Sequence, residues 1–145
     1  MDNSSVADDL LRAAGALSRW ASTQAGLGVP SGVLRLLAIV EELGPIRVGD
    51  LALADHTTQP AVTRQVGRLT TLGWIDRTSD PADARATLVA ITDIGREALA
   101  DARRARGEAV DRLLEETGAS ADRVRDAAEL LDQLLQAARG ATGEE

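Results

Sequence analysis

Apolar residues recur along this chain with two different periods, and the change of period marks out its parts. Leu10, Ala14, Leu17 and Ala21 stand at helical spacing, so Val6–Ala25 reads as a first amphipathic helix with cap candidates at Asn3–Ser5. Gly26-Leu27-Gly28-Val29-Pro30 interrupts it. A second helix starts at Ser31 or Gly32 and stops at Gly44-Pro45. Its Val33, Leu34, Leu36, Leu37, Ile39, Val40 and Leu43 wrap almost around the cylinder, which predicts a deeply placed helix. Arg47–Ala54 is short, with Val48, Leu51 and Ala52 on one side, and His56-Thr57 makes a polar turn. Thr58 then opens another helix, Gln59–Leu72, closed by Gly73. Strand-like Trp74-Ile75-Asp76-Arg77 and Thr87-Leu88-Val89-Ala90-Ile91 follow, separated by the turn-rich Ser79–Arg85.

Beyond that hairpin, Thr92 caps a long helix running to about Glu116, with small apolar residues (Ala98, Ala102, Ala105, Ala109) along its middle. Gly118 ends it, and Ser120 caps a last helix carrying Val124, Ala127, Leu131, Leu134 and Ala138 at helical spacing. Gly140–Glu145 reads as frayed. The elements predict a mainly α fold: a winged helix-turn-helix at 33–92 with a small β-hairpin wing, within one domain spanning 1–145. The first and last helices cannot bury all their apolar positions on so small a lobe. Segments 1–30 and 93–145 are therefore expected to be dimerisation helices, since symmetric dimers are the commonest oligomer.

Composition narrows the chemistry. A chain of 145 residues is expected to form one core burying roughly 68–70% of its unfolded surface. Phe and Tyr are absent and Trp20 and Trp74 are the only aromatic residues, so that core is built from Leu, Val, Ile and Ala. Without cysteine there is no disulfide, thiolate zinc or thiol redox sensor, and the single His56 leaves little for a transition metal. No metal or cofactor is expected. Met1–Asp9 lacks the basic-then-apolar pattern of a signal peptide, and no apolar run approaches the ~20 residues that span a bilayer. A cytoplasmic protein without a membrane partner is the expectation.

Net charge of −7 argues at first against nucleic acid, but its distribution does not. From Arg47 to Arg85 five arginines balance five aspartates, and Thr58–Leu72 carries only Arg64 and Arg68. Screening makes the local surface matter more than the total. On that helix Val62, Val66 and Leu69 form the core stripe, and Pro60, Arg64, Gly67, Arg68 and Thr71 lie opposite. The N-terminal end, sized for a major groove, presents Gln59, Thr63 and Arg64. Arg forks onto guanine, Gln pairs with adenine, and Thr reaches a base edge or a phosphate. Arg68 suits a phosphate, and Arg85 near the wing tip suits a narrow minor groove. The DNA-facing set is thus Arg47, Thr58, Gln59, Pro60, Thr63, Arg64, Arg68 and Arg85. Asp83 is expected to pair with Arg64 or Arg77 and so hold the wing against the recognition helix.

An enzyme finds no support: there is no cysteine nucleophile, no P-loop, and Gly26-x-Gly28-x-x-x-Gly32 lacks both the spacing and the strand of a dinucleotide site. A winged helix that binds protein instead of DNA remains the alternative. Its wing would show exposed apolar residues where this one shows Thr, Gln, Ala and Arg.

In these segments the chain resembles the MarR family of bacterial transcription regulators. The resemblance rests on Gly44-Pro45-Ile46-Arg47-Val48-Gly49-Asp50-Leu51-Ala52 and on Thr58-Gln59-Pro60-Ala61-Val62-Thr63-Arg64-Gln65-Val66 with Leu69 and Gly73. Asp83-Ala84-Arg85 and Leu88-Val89-Ala90-Ile91-Thr92-Asp93-Ile94-Gly95-Arg96 complete it. It implies a homodimer on pseudo-palindromic double-stranded DNA, usually a repressor released by a small, often phenolic, anion. Arg64 then looks like the recognition-helix arginine and Arg85 like the wing-tip arginine, though Ala84 and Ala86 stand where several members carry a second basic residue. The implied effector pocket lies near Trp20 and Arg35, where an indole and a guanidinium can hold an aromatic carboxylate.

Overall fold

A computed structural model describes residues 3–142 of the chain. It begins with α1 (Asn3–Gln24), followed by α2 (Ser31–Leu43), β1 (Ile46–Arg47), α3 (Val48–Ala54) and α4 (Gln59–Thr71). Strands β2 (Ile75–Asp80) and β3 (Asp83–Ile91) lead into α5 (Asp93–Thr117) and α6 (Ala121–Thr142). The core sits where the helical stripes converge. Val33, Leu36, Leu37 and Val40 of α2 meet Leu51 and Ala52 of α3, Val62, Val66 and Leu69 of α4, and Ile75 and Val89 of the sheet. Each Leu or Val closed off there contributes about 1.5–3 kcal/mol. The helix expected to lie deepest, α2, does so, although its last residue, Leu43, is half exposed.

The sheet has three strands, ordered β1-β3-β2 and antiparallel throughout, where the sequence pattern suggested two. Gly44 and Pro45 end α2 and lay Ile46 and Arg47 opposite Val89 and Leu88. A two-residue strand has no periodicity to read. The hairpin is also longer than expected. Most of the turn-rich segment is strand, with a register shift at Ser79/Asp80 and only Pro81 and Ala82 outside the strands at the tip.

The junction behind the recognition helix is tightly fastened. Thr92 Oγ1 donates to the Gly73 carbonyl at 2.6 Å and accepts the Gly95 N–H at 3.0 Å, while the Thr92 N–H reaches the Trp74 carbonyl at 3.0 Å. A β-carbon on Gly95 would collide with that same Trp74 oxygen, so the first turn of α5 approaches as only glycine permits. Trp74 itself packs against the core, as its position suggested.

The chain divides into two compact units, Met1–Ala109 and Val110–Glu145, with α5 running from the first into the second. In the second, Leu130, Leu131, Leu134 and Leu135 of α6 are 36–56% exposed. Gly140 lies within α6, which continues to Thr142; residues 143–145 lie outside the described residues. At the other end α1 already includes the cap candidates Asn3–Ser5, and residues 1 and 2 lie outside the described residues.

Candidate nucleic-acid interface

Thr58 starts the recognition helix as the sequence suggests. Its backbone is extended, and its Oγ1 accepts the Ala61 N–H at 3.4 Å with Pro60 in the first turn. Three buried residues, Val62, Val66 and Leu69, anchor one face of α4. That leaves Gln59, Pro60, Thr63, Arg64 and Arg68 exposed on the other. The Thr63 hydroxyl donates to the Gln59 carbonyl at 2.9 Å, so toward a partner it offers only acceptor lone pairs. Among the described residues, Arg64 and Arg68 form no ion pair and no side-chain hydrogen bond, and both guanidiniums face outward unpaired.

The other candidates divide between two clefts. Arg47, Gln59, Arg77 and Arg85 line one of about 320 Å³, between the start of α3, the start of α4 and the wing. Arg64 and Arg68 border another of about 350 Å³, with Pro30, Gly32 and Gln65. Arg64 and Arg85 thus border different clefts.

The wing is held by different residues from those the sequence suggested. Asp83 Oδ1 binds the Arg85 Nε at 3.2 Å and the Arg85 N–H at 3.1 Å, and not Arg64 or Arg77. The reason is local: two residues apart on β3, Asp83 and Arg85 point to the same face. Arg77 has no ion partner among the described residues and belongs with the cleft. The strut is Asp80 with Arg47. Arg47 and Thr78 both register with Leu88 from opposite edges of β3, which brings the Arg47 side chain across the sheet toward β2. Its Nε and Nη2 each reach Asp80 Oδ2 at 2.5 Å, and the other carboxylate oxygen accepts the Ala82 N–H at 2.8 Å. One carboxylate thus closes the hairpin turn and ties the wing to the start of the helix-turn-helix. The Ala82 bond, with Arg47 adding to it and burial opposing, holds the Asp80 carboxyl below its ordinary pKa. Arg47, half exposed but committed to Asp80, positions the wing before it contacts anything else. The turn-rich character of Ser79–Arg85 is in the sequence; the ion pair of Asp80 with Arg47 is not.

Arg35, expected in an effector pocket, makes a two-point contact with Asp55, Nε to Oδ1 at 2.6 Å and Nη2 to Oδ2 at 3.2 Å. That hydrogen bond, against an opposing effect of burial, raises the guanidinium pKa above its ordinary value. Asp55 caps α3 just before His56, whose φ of 50° puts a non-glycine residue in left-handed backbone at the turn into α4. Arg35 also borders a cavity of about 450 Å³, but Trp20 does not. The α1 residues that line it are Gly15, Ser18, Arg19 and Ser22. Trp20 stands two positions from Ser18, about 200° around the helix, and faces elsewhere. Among the described residues no cluster of His, Cys, Asp and Glu suits a metal ion, and no helix is long and apolar enough to cross a membrane.

Comparison with known proteins places this geometry. The family model described as MarR family matches residues 31–87, from the start of α2 into β3. An uncharacterised HTH-type transcriptional regulator of Mycobacterium leprae is 34% identical over 103 residues, which are 70% of this chain and 72% of that protein. Among solved structures, RV1404 of Mycobacterium tuberculosis superposes with a TM-score of 0.69 at 27% identity, covering 100% of this chain and 97% of that one. Wild-type MarR of E. coli in its apo form gives 0.71 at 21% identity, covering 93% and 98%. The unpaired recognition helix and strutted wing are thus those of a DNA-binding helix-turn-helix regulator, and the chain belongs to the MarR family of transcriptional regulators.

Proposed function

We propose that this regulator acts as a homodimeric repressor on a pseudo-palindromic operator and is released by a small-molecule effector. The observation that carries the DNA-reading half is the unpaired edge of α4: Arg64 and Arg68 exposed without ion partners, beside a capped helix N-terminus. In this reading Gln59, Thr63 and Arg64 contact base edges, Thr58, Pro60 and Arg68 lie along the backbone, and Arg85 enters the adjacent minor groove. Residues 33–92 form the reader lobe. Segments 1–30 and 93–145 form the dimer layer, which sets half-sites about 34–36 Å apart. Exposed Val6, Leu11 and Leu17 on α1 and the exposed leucines of α6 support a second copy as their cover. The cavity beside Arg35 supports an effector.

The net charge of −7 favours a protein-binding winged helix as the second reading. Anisotropy titrations separate the two, using DNA from immediately upstream of the gene, a scrambled control and a salt series. Repressor function requires binding at nanomolar dimer, tighter than the control by about 10³ or more. No binding even at low salt leaves the protein-interaction reading. Sedimentation showing only a 15.2 kDa species at micromolar concentration removes the dimer.

A further inference from the structure

The effector cavity has a charge pattern of its own. Four arginines border it: Arg19 from α1, Arg35 from α2, and Arg103 and Arg106 from α5. No Asp or Glu among the described residues lines it. Two of the four charges are already met, Arg35 by Asp55 and Arg103 by Glu41 at 2.9 Å. The other two are not. Arg106 spends Nη2 on the Ser18 hydroxyl at 2.7 Å, and its buried Nε has no partner. Arg19 forms no ion pair among the described residues. A buried donor without a partner is costly, and two uncompensated guanidiniums around one cavity favour an occupant carrying two negative charges. The floor, Leu34, Leu99 and Ala102, is apolar, and with Trp20 on the far side of α1 no aromatic ring is available for stacking. A short hydrocarbon part fits against that floor.

Arg35 links this cavity to the DNA-reading helix. It is the ion partner of Asp55, whose side chain is only 1% exposed and which sits three residues before the Thr58 cap of α4. We propose that the cavity binds a small dianion with a short hydrocarbon part, a phosphate monoester or a dicarboxylate, and that the bound anion draws Arg35 off Asp55, unseats the α3–α4 turn and weakens DNA binding. The inference rests on the effector-released repressor reading and names the ligand class and the relay. Asp55 deprived of Arg35 is a buried carboxylate without its counter-ion, and the turn relieves it by opening to water. His56, already in left-handed backbone, lies at the point that moves.

The test is isothermal titration calorimetry on the full chain at matched ionic strength. Butyl phosphate and adipate are the probes, with 1-butanol and benzoate as comparisons, followed by operator titrations with each probe. Expected is one site per chain for at least one dianion, tighter than benzoate. At saturation it lowers operator affinity by about tenfold, within the usual range of allosteric coupling. The tighter of the two probes identifies phosphate or dicarboxylate as the head group. Arg19→Ala, a surface change, is expected to weaken the dianion at least about tenfold and to leave ligand-free operator affinity alone. Asp55→Asn is expected to keep dianion binding while the operator response disappears, because no carboxylate remains to be deserted. Failure of both dianions to bind, or binding no tighter than benzoate, overturns the site. Dianion binding with unchanged operator affinity, or an undiminished response in Asp55→Asn, overturns the relay. If the protein binds no operator at all, the repressor reading fails, and calorimetry still decides the cavity.

Discussion

Arg64 and Arg68 stand on the outer face of α4 without ion partners among the described residues, whereas Arg35 and Arg47, behind and beside that helix, each end on a carboxylate nearly closed to solvent. Asp55 retains 1% of its side-chain exposure and Asp80 9%. The same side chain serves opposite ends. A free guanidinium keeps its charge and its five donors for a partner, and a paired one gives them up to fix geometry. This resolves how a chain of net charge −7 can read DNA. Acidic residues neutralise the arginines that position the helix and wing and leave Arg64 and Arg68 on the face of α4 without ion partners among the described residues.

On that division the struts are expected to control chiefly stability and the edge chiefly affinity. The largest effect is expected for Arg35→Ala, which strands the buried Asp55. Removing one partner of a buried pair costs about 3–5 kcal/mol. Because the Arg35 side chain is itself 60% exposed, the low end, about 3 kcal/mol, is expected. Urea denaturation would read it as a lower midpoint, and a midpoint unchanged from wild type would deny Arg35 its supporting part. Next comes Arg64→Ala. It is expected to cost about 1–3 kcal/mol at cognate DNA and to relax specificity at one base pair per half-site, with no change in the unfolding midpoint. Arg68→Ala is expected to weaken cognate and random DNA alike and to lower the salt slope by about 1 for the lost phosphate contact. Equal losses on both DNAs in the Arg64 and Arg68 variants would erase the distinction drawn along α4.

The contrast also explains what was legible in the amino-acid sequence. The free residues of the edge were, because helical periodicity alone puts Val62, Val66 and Leu69 inside and Arg64 and Arg68 outside. The struts were not. Arg35 and Asp55 are 20 residues apart, and Arg47 and Asp80 are 33. Both pairings depend on how elements pack, and the second depends on a strand of two residues that no pattern announces. Arg47 and Arg35 read from the sequence as contacts, with DNA and with an effector, and the structure adds that each is also a fastening. Asp83 failed for the opposite reason. Its partner lay two residues away on its own strand, nearer than the long-range partners expected of it. Trp20 was placed by residue type, and its position on the helix turns it away from the cavity its neighbours line.

The smallest expected effect tests the wing strut from both sides. Arg47→Ala is expected to lower operator affinity only about two- to fivefold, the range of an ion pair with one exposed member, and to speed amide exchange in β2 near Asp80. Acid gives the complementary test. The Asp80 carboxyl titrates below its ordinary 3.8 in the folded chain, so its contribution is complete above that value and is lost as pH falls through the lowered pKa. Amide protection at the wing tip is thus expected to hold level from neutrality to about pH 4 and to decline only below it. Asp80→Asn separates the two oxygens of the strut. An amide oxygen still accepts the Ala82 N–H, so the tight turn survives, while the charge that held Arg47 is gone. A tip that stays protected in Asp80→Asn while the β1 side of the sheet loosens would show that the turn and the tether are independent. Loosening at both points together would mean that the wing moves as one body.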